Sequence, residues 1–170
     1  HDHIATLGRR GTREDVLDPA LDVVEVERGG EATYHGPGQL VGYPILQLGR
    51  RDVHAYLRDL EEVLIRTVAE WGIRAGRVPA YTGVWVGDAK IAAIGVRVTR
   101  WVTSHGFALN VSTDLAYFGS IVPCGIRSGS VGSMASLLGG AAPSVREVAE
   151  RVARHFATVF GREISSPLSP

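Results

Sequence analysis

Residues 22–48 read Asp-Val-Val-Glu-Val-Glu-Arg-Gly-Gly-Glu-Ala-Thr-Tyr-His-Gly-Pro-Gly-Gln-Leu-Val-Gly-Tyr-Pro-Ile-Leu-Gln-Leu. The first six residues partly alternate apolar and acidic side chains, the pattern of a half-buried strand. Arg28 to Gln39 carries four glycines and a proline, which predicts a loop with no regular element. Leu40 to Leu48 is apolar again and predicts a second strand, with Pro44 placing it near an edge or a bulge. Further along, residues 52–71 have Val53, Tyr56, Leu57, Leu60, Val63, Leu64, Val68 and Trp71 at helical spacing on one face. Asp52 suits the N-cap of that helix and Gly72 its C-terminal turn. Val84–Val86 and the run from Ile91 predict a hairpin turned at Gly87-Asp88, with Lys90 at the start of its second strand. Another strand is expected over 103–111, a helical turn over 114–118 and a short helix over 130–138. The last helix spans 145–160, opened by the capping-box pair Ser144 and Glu147 and closed by Gly161. Its apolar stripe is Val145, Val148, Val152, Phe156 and Val159. Strands precede and separate two long helices without regular βαβ alternation. The expected class is therefore α+β, a mixed or antiparallel sheet with helices on one face.

The 170 residues suit one domain, 1–170. A hydrophobic content of 45% with 21% charged residues is globular and excludes wholesale disorder. Eighteen basic and eighteen acidic residues give a formal net charge of zero, which argues against a general nucleic-acid footprint. A lone cysteine, Cys124, permits no internal disulfide and suits a reducing cytoplasm. No apolar run reaches the roughly 18 residues of a membrane span, and no signal-peptide pattern opens the chain.

Metal chemistry has little support. His35, His54, His105 and His155 share no ligand spacing, and there is no Cys-x-x-Cys. No phosphate-loop or dinucleotide fingerprint occurs. No metal or cofactor is therefore expected. Lys90 is the sole lysine among eighteen basic residues, and lysine, unlike arginine, can give up its proton in a protein. Cys124 lies between Pro123 and Gly125. A lone cysteine in an apolar run is ordinarily an inert core residue. A bend there could instead aim the thiol into a cleft and bare N–H groups for an oxyanion. Such a thiolate needs a neighbouring cation, with Lys90, His35 and His105 as the candidates.

Four segments in order resemble the octanoyltransferase (lipoyl(octanoyl) transferase) family. They are Arg28–Pro44, Lys90–Val96, His105–Asn110 and Ile121–Ile126, and the likeness runs from about His3 to the last helix. The resemblance implies the fold of lipoate and biotin protein ligase catalytic domains. It also implies transfer of an octanoyl group from octanoyl-acyl carrier protein to a specific lysine of apo lipoyl domains. Those acceptors are the E2 subunits of 2-oxoacid dehydrogenases and the glycine-cleavage H protein. By position Cys124 matches the family nucleophile and Lys90 its partner. The substrate-binding segments match Arg28, Gly29, Gly30, Glu31, Ala32, Thr33, Tyr34 and His35, then Ala93, Ile94 and Gly95, then Gly106, Phe107 and Ala108. Ala93, Ile94 and Phe107 would line a tunnel for the acyl tail. The segment from His3 to Arg10 normally follows further structure in this family, so a chain shortened at its N-terminus is expected.

The residues leave other roles open. Arg28 could instead be a surface ion-pairing group, His35 a hydrogen-bonded loop anchor and His105 a satisfied core histidine. Three rival functions also fit parts of the pattern. One is an ATP-using lipoate or biotin ligase, which needs no cysteine. Another is a non-catalytic homologue that docks carrier domains. The last is a cysteine hydrolase with His35 or His105 as base.

Overall fold

The computed structural model describes residues 1–79, 81–122 and 130–163. Two sheets and two long helices make up these residues. The first sheet holds β1 (Ile4–Leu7), β2 (Asp22–Glu25) and β3 (Ala32–His35) in the order β2-β1-β3, with β1 parallel to β2 and antiparallel to β3. The second sheet contains β4 (Gln39–Gly42), β5 (Gly76–Val78), β6 (Tyr81–Val86), β7 (Ala89–Thr99) and β8 (Val102–Asn110), ordered β4-β8-β7-β6-β5. The short β9 (Ser130–Val131) pairs in parallel with the start of β7. The helices are α1 (Val53–Ala69), the single turn α2 (Met134–Leu137) and α3 (Val145–Phe160). This is the α+β class with mixed sheets.

Three of the four ends of the long helices lie where the sequence puts them, while α1 stops at Ala69 with Glu70 as its C-cap, short of Gly72. Asp52 accepts a hydrogen bond from Ala55 N at 2.9 Å, capping α1. At α3, Ser144 Oγ accepts from Glu147 N at 3.2 Å while Glu147 Oε2 accepts from Ser144 N at 2.8 Å. Gly161 closes α3 in the left-handed conformation, φ +59°. The two helices pack on one another and on one face of the larger sheet. Val63, Leu64, Val84, Ile91, Leu109, Met134 and Val148 are fully buried there. A smaller core lies under the first sheet, around Ala5, Tyr34 and Ile121. No helix among the described residues is long and apolar enough to cross a membrane.

The structure corrects the loop expected over 28–39, because β3 lies inside it. Its glycines cluster at Gly29-Gly30 and at Gly36 and Gly38, leaving the strand-prone Ala32–His35 between them to pair with β1. The strand expected over 40–48 stops at Gly42. Pro44 has no N–H to offer a ladder. Instead, the Thr103 hydroxyl donates to Pro44 O at 2.8 Å and accepts from Leu46 N at 3.0 Å, carrying the chain along β8 without a regular strand. The helix expected over 130–138 is shorter than predicted: β9 takes 130–131, and Ser133 caps only the turn 134–137. β1 and β5 answer to no expected element.

Candidate active site

The register of β7 against β8 pairs two of the expected substrate segments residue for residue. Ala93 faces Ala108, Ile94 faces Phe107 and Gly95 faces Gly106. The third segment reaches the same place through the loop after β2, where Gly29 N donates to Val96 O at 3.0 Å. Arg28 lies across Gly95: a Cβ on Gly95 would sit 3.0 Å from Arg28 Cδ and 2.9 Å from Gly29 O. The residues after β1 wrap the other side, with Gly8 N, Arg9 N and Arg10 N donating to Glu31 O, Arg28 O and Gly30 O. Thus Arg28 and Gly29, Ala93–Gly95 and Gly106–Ala108, far apart in sequence, meet at β7, while Ala32 and Tyr34 lie buried in the core of the first sheet.

Arg28 is buried, and its Nη2 donates to Thr6 O and Thr6 Oγ1, both at 2.8 Å. A chain of polar side chains begins there. Thr6 Oγ1 lies 3.2 Å from His35 Nε2, and His35 Nδ1 lies 2.8 Å from Gln39 Oε1. Gln39 Nε2 donates to Asn110 Oδ1 at 3.0 Å, and Asn110 Nδ2 donates to Gly132 O at 3.0 Å. Since Gln39 Oε1 can only accept, His35 carries its proton on Nδ1, and Nε2 accepts the Thr6 hydroxyl proton. Every donor then points from Arg28 toward Gly132. The same Gly132 donates its N–H to Lys90 O at 3.0 Å. Burial holds the His35 pKa below its ordinary value, opposed by the Gln39 hydrogen bond and reinforced by Arg28 and the N-terminal amine. The neutral imidazole that the chain requires is the one its surroundings favour.

His105 is also held below its usual pKa, by burial first and then by Arg28 and Arg97. Its φ is +57°, a left-handed conformation in the middle of β8. Lys90 stands on β7 three residues before Ala93, paired with Trp85 on β6 and Val131 on β9. Its Nζ is 5.5 Å from the centre of the Trp85 ring. Cys124 lies outside the described residues. Ile94 and Phe107 turn out to be packing residues: Phe107 belongs to the main core, and Ile94 packs against it. Of the three side chains expected to line an acyl tunnel, Ile94 and Phe107 pack in the core and Ala93 is partly buried on β7. Ala93, Gly95, Gly106 and Ala108 alternate with Ile94 and Phe107 on the strands. Among the described residues no group of three or more His, Cys, Asp or Glu could hold a metal ion.

Several site residues escaped the sequence reading: Thr6, Gln39 and Asn110, which complete the polar chain, and Glu61 on α1. Glu61 had a legible signal. It is a charge standing four residues after Leu57 and three before Leu64, inside the apolar stripe of a helix. Gln39 and Asn110 lie inside two of the segments that carry the family likeness, but no local pattern brings them to Thr6, because that meeting depends on how the two sheets abut.

Comparison with known proteins shows the fold and the family. Residues 1–157 match the family model of the lipoyl protein ligase A/B catalytic domain. An octanoyltransferase of Solibacter usitatus is 57% identical over 173 residues, covering 96% of this chain and 77% of that protein. One from Geobacter metallireducens is 54% identical over 158 residues, covering 92% of this chain and 74% of that protein. Among solved structures, a lipoate-protein ligase A bound with ATP superposes with a TM-score of 0.83 at 18% identity, covering 98% of this chain and 72% of that one. The fold is thus that of the lipoate protein ligase catalytic domain. The chain belongs to the lipoyl protein ligase A/B catalytic-domain family and, within it, to the octanoyltransferases. It is an enzyme, an acyltransferase of the lipoyl/octanoyl class.

Proposed function

We propose that this chain moves an octanoyl group from octanoyl-acyl carrier protein to a lysine of an apo lipoyl domain, through a thioester on Cys124. The acceptors under this reading are lipoyl domains of 2-oxoacid dehydrogenase E2 subunits and the glycine-cleavage H protein, and the reaction takes place in the cytoplasm. The observation that carries the reading is the position of the only lysine. Lys90 shares β7 with Ala93–Gly95, and that segment pairs directly with Gly106–Ala108 beside Arg28. The sole lysine thus stands on the strand that builds the surface where acyl donor and acceptor would meet.

The chemistry runs in two balanced steps. A Lys90 ammonium favours the Cys124 thiolate. The thiolate attacks the thioester carbonyl of the donor, and the carrier protein's thiolate leaves with the electron pair of the broken C–S bond and takes the proton of the Lys90 ammonium, which leaves that amine neutral. The acceptor lysine amine then attacks the octanoyl–Cys124 carbonyl. A neutral Lys90 takes the proton that the amine loses, and the Cys124 thiolate departs. Burying a tail of this length contributes several kcal/mol at about 0.8 kcal/mol per CH₂.

Intact mass spectrometry tests the reading. After incubation with octanoyl-acyl carrier protein the chain should gain one octanoyl group, which hydroxylamine removes and Cys124→Ala abolishes. Addition of an apo lipoyl domain should then transfer the group. Lys90→Ala should slow transfer by about 10²–10⁴-fold. A folded chain that forms no adduct, yet charges lipoyl domains from free octanoate and ATP, would make it a ligase instead.

A further inference from the structure

The Lys90 side chain rests in a seat built by residues that the proposed reaction does not otherwise use. The β6–β7 register changes at this point: Val84 pairs with Ala92, but Trp85 pairs with Lys90, so Ile91 is an extra residue on β7. Such a bulge re-aims the neighbouring side chain. Gly83, just before it on β6, has φ +137°. A Cβ at Gly83 would lie 2.7 Å from Lys90 Cε and 2.6 Å from Ala92 O. The methylene stem of Lys90 therefore lies across the bare face of Gly83, a position no other residue type allows. Gly83 N does not simply join the ladder to β7. It donates to Glu61 Oε1 at 3.0 Å. Glu61 is completely buried on α1, and its other oxygen accepts from Arg58 Nη1 at 2.6 Å and Arg77 Nε at 3.0 Å.

We propose that Glu61 and Gly83 are positioning residues for Lys90: the Glu61 carboxylate fixes the Gly83 backbone, and Gly83 in turn holds the lysine stem. This inference rests on the reading of Lys90 as the partner of Cys124. A long, flexible lysine side chain loses much rotamer freedom when its amine is held at one point, so a reaction that needs the amine there gains from a mould around its stem. Two arginines hold Glu61 from the solvent side, leaving its inner oxygen for a backbone N–H. An amide at position 61 cannot reproduce this. Its NH₂ must meet either the Gly83 N–H or the two guanidiniums, so one donor always faces another.

The test uses the whole chain, with Gly83→Ala and Glu61→Gln compared with Lys90→Ala. Glu62→Gln is the control, since Glu62 pairs with Arg66 and Arg77 at the exposed edge of the same cluster. Two quantities are read: octanoyl transfer to an apo lipoyl domain, and the pH dependence of iodoacetamide alkylation of the sole cysteine. Gly83→Ala should lower kcat by about tenfold or more, leave KM for the acceptor domain unchanged, and move the alkylation midpoint toward that of Lys90→Ala. Glu61→Gln should shift both in the same direction, and Glu62→Gln should match the parent. A mere loss of stability would not move the alkylation midpoint of the folded protein. If Gly83→Ala fails to fold, Glu61→Gln decides. Parent-like kcat and midpoint in both folded variants, with Lys90→Ala impaired, overturn the positioning role and leave the Lys90 reading standing. Parent-like behaviour of Lys90→Ala overturns that reading and the inference with it.

Discussion

His35 is where single-residue chemistry reaches furthest through the molecule. It accepts from Thr6 and donates to Gln39, an arrangement that works only with one proton on the ring. Because burial lowers its folded pKa, the unfolded chain binds the second proton more readily. Stability on this account is present above the ordinary imidazole pKa of about 6.5 and is lost as pH falls through and below it. Urea denaturation should therefore show unfolding free energy dropping between about pH 7.5 and about pH 5.5, and His35→Asn should flatten that slope. A parent slope unchanged by the substitution would assign the acid sensitivity elsewhere. Gln39→Leu should cost more than a usual surface change. It strands Asn110 Oδ1 and His35 Nδ1 in a buried site, at about 1–3 kcal/mol for each unmet group, measurable in the same experiment at neutral pH.

At the scale of elements, the close crossing of β4 and β8 depends on two glycines. A Cβ on Gly106 would stand 2.1 Å from Gly42 O and 2.6 Å from Pro44 Cδ, and one on Gly42 would stand 2.3 Å from the Phe107 ring. Backbone and proline ring cannot give way as a flexible side chain can, so Gly106→Ala must part the strands. We expect it to destabilise by more than about 3 kcal/mol and to raise amide exchange at Gln39–Gly42 selectively; normal exchange there would show that the strands accommodate the methyl. The α3 start is an easier case. Ser144→Ala removes one half of a reciprocal cap and should cost about 1 kcal/mol, read from thermal unfolding. These elements differ in how plainly the sequence announces them. The caps at Asp52, Ser144 and Gly161 and the turn at Gly87-Asp88 involve near neighbours in the chain, so local chemistry suffices. β3 hid among glycines because its strand character comes from pairing with β1, and the 43–48 segment lost its ladder to Pro44 although its apolar pattern remained.

For the molecule as a whole, the larger core joins α1, α3 and the second sheet, so its residues report global stability. Leu64 is fully buried there, and Leu64→Ala should cost about 2–5 kcal/mol, lowering Tm by roughly 2–4 °C per kcal/mol for a domain of this size. The two sheets have separate cores, and the polar chain from Arg28 and Thr6 through His35 and Gln39 to Asn110 crosses between them. The sequence by itself determined the α+β class, both long helices with the N-cap of each and the closing glycine of α3, and the hairpin carrying Lys90. These rest on periodicity, capping and turn chemistry, which act between residues close in the chain. Only the tertiary structure decided that Ala93–Gly95 lies opposite Gly106–Ala108, that Arg28 drapes over Gly95, that Phe107 belongs to the core, and that Glu61 on α1 reaches Gly83 beside Lys90. Each of these is a meeting between residues remote in sequence. Strand register and the approach of helix to sheet set such meetings, and no local pattern encodes either.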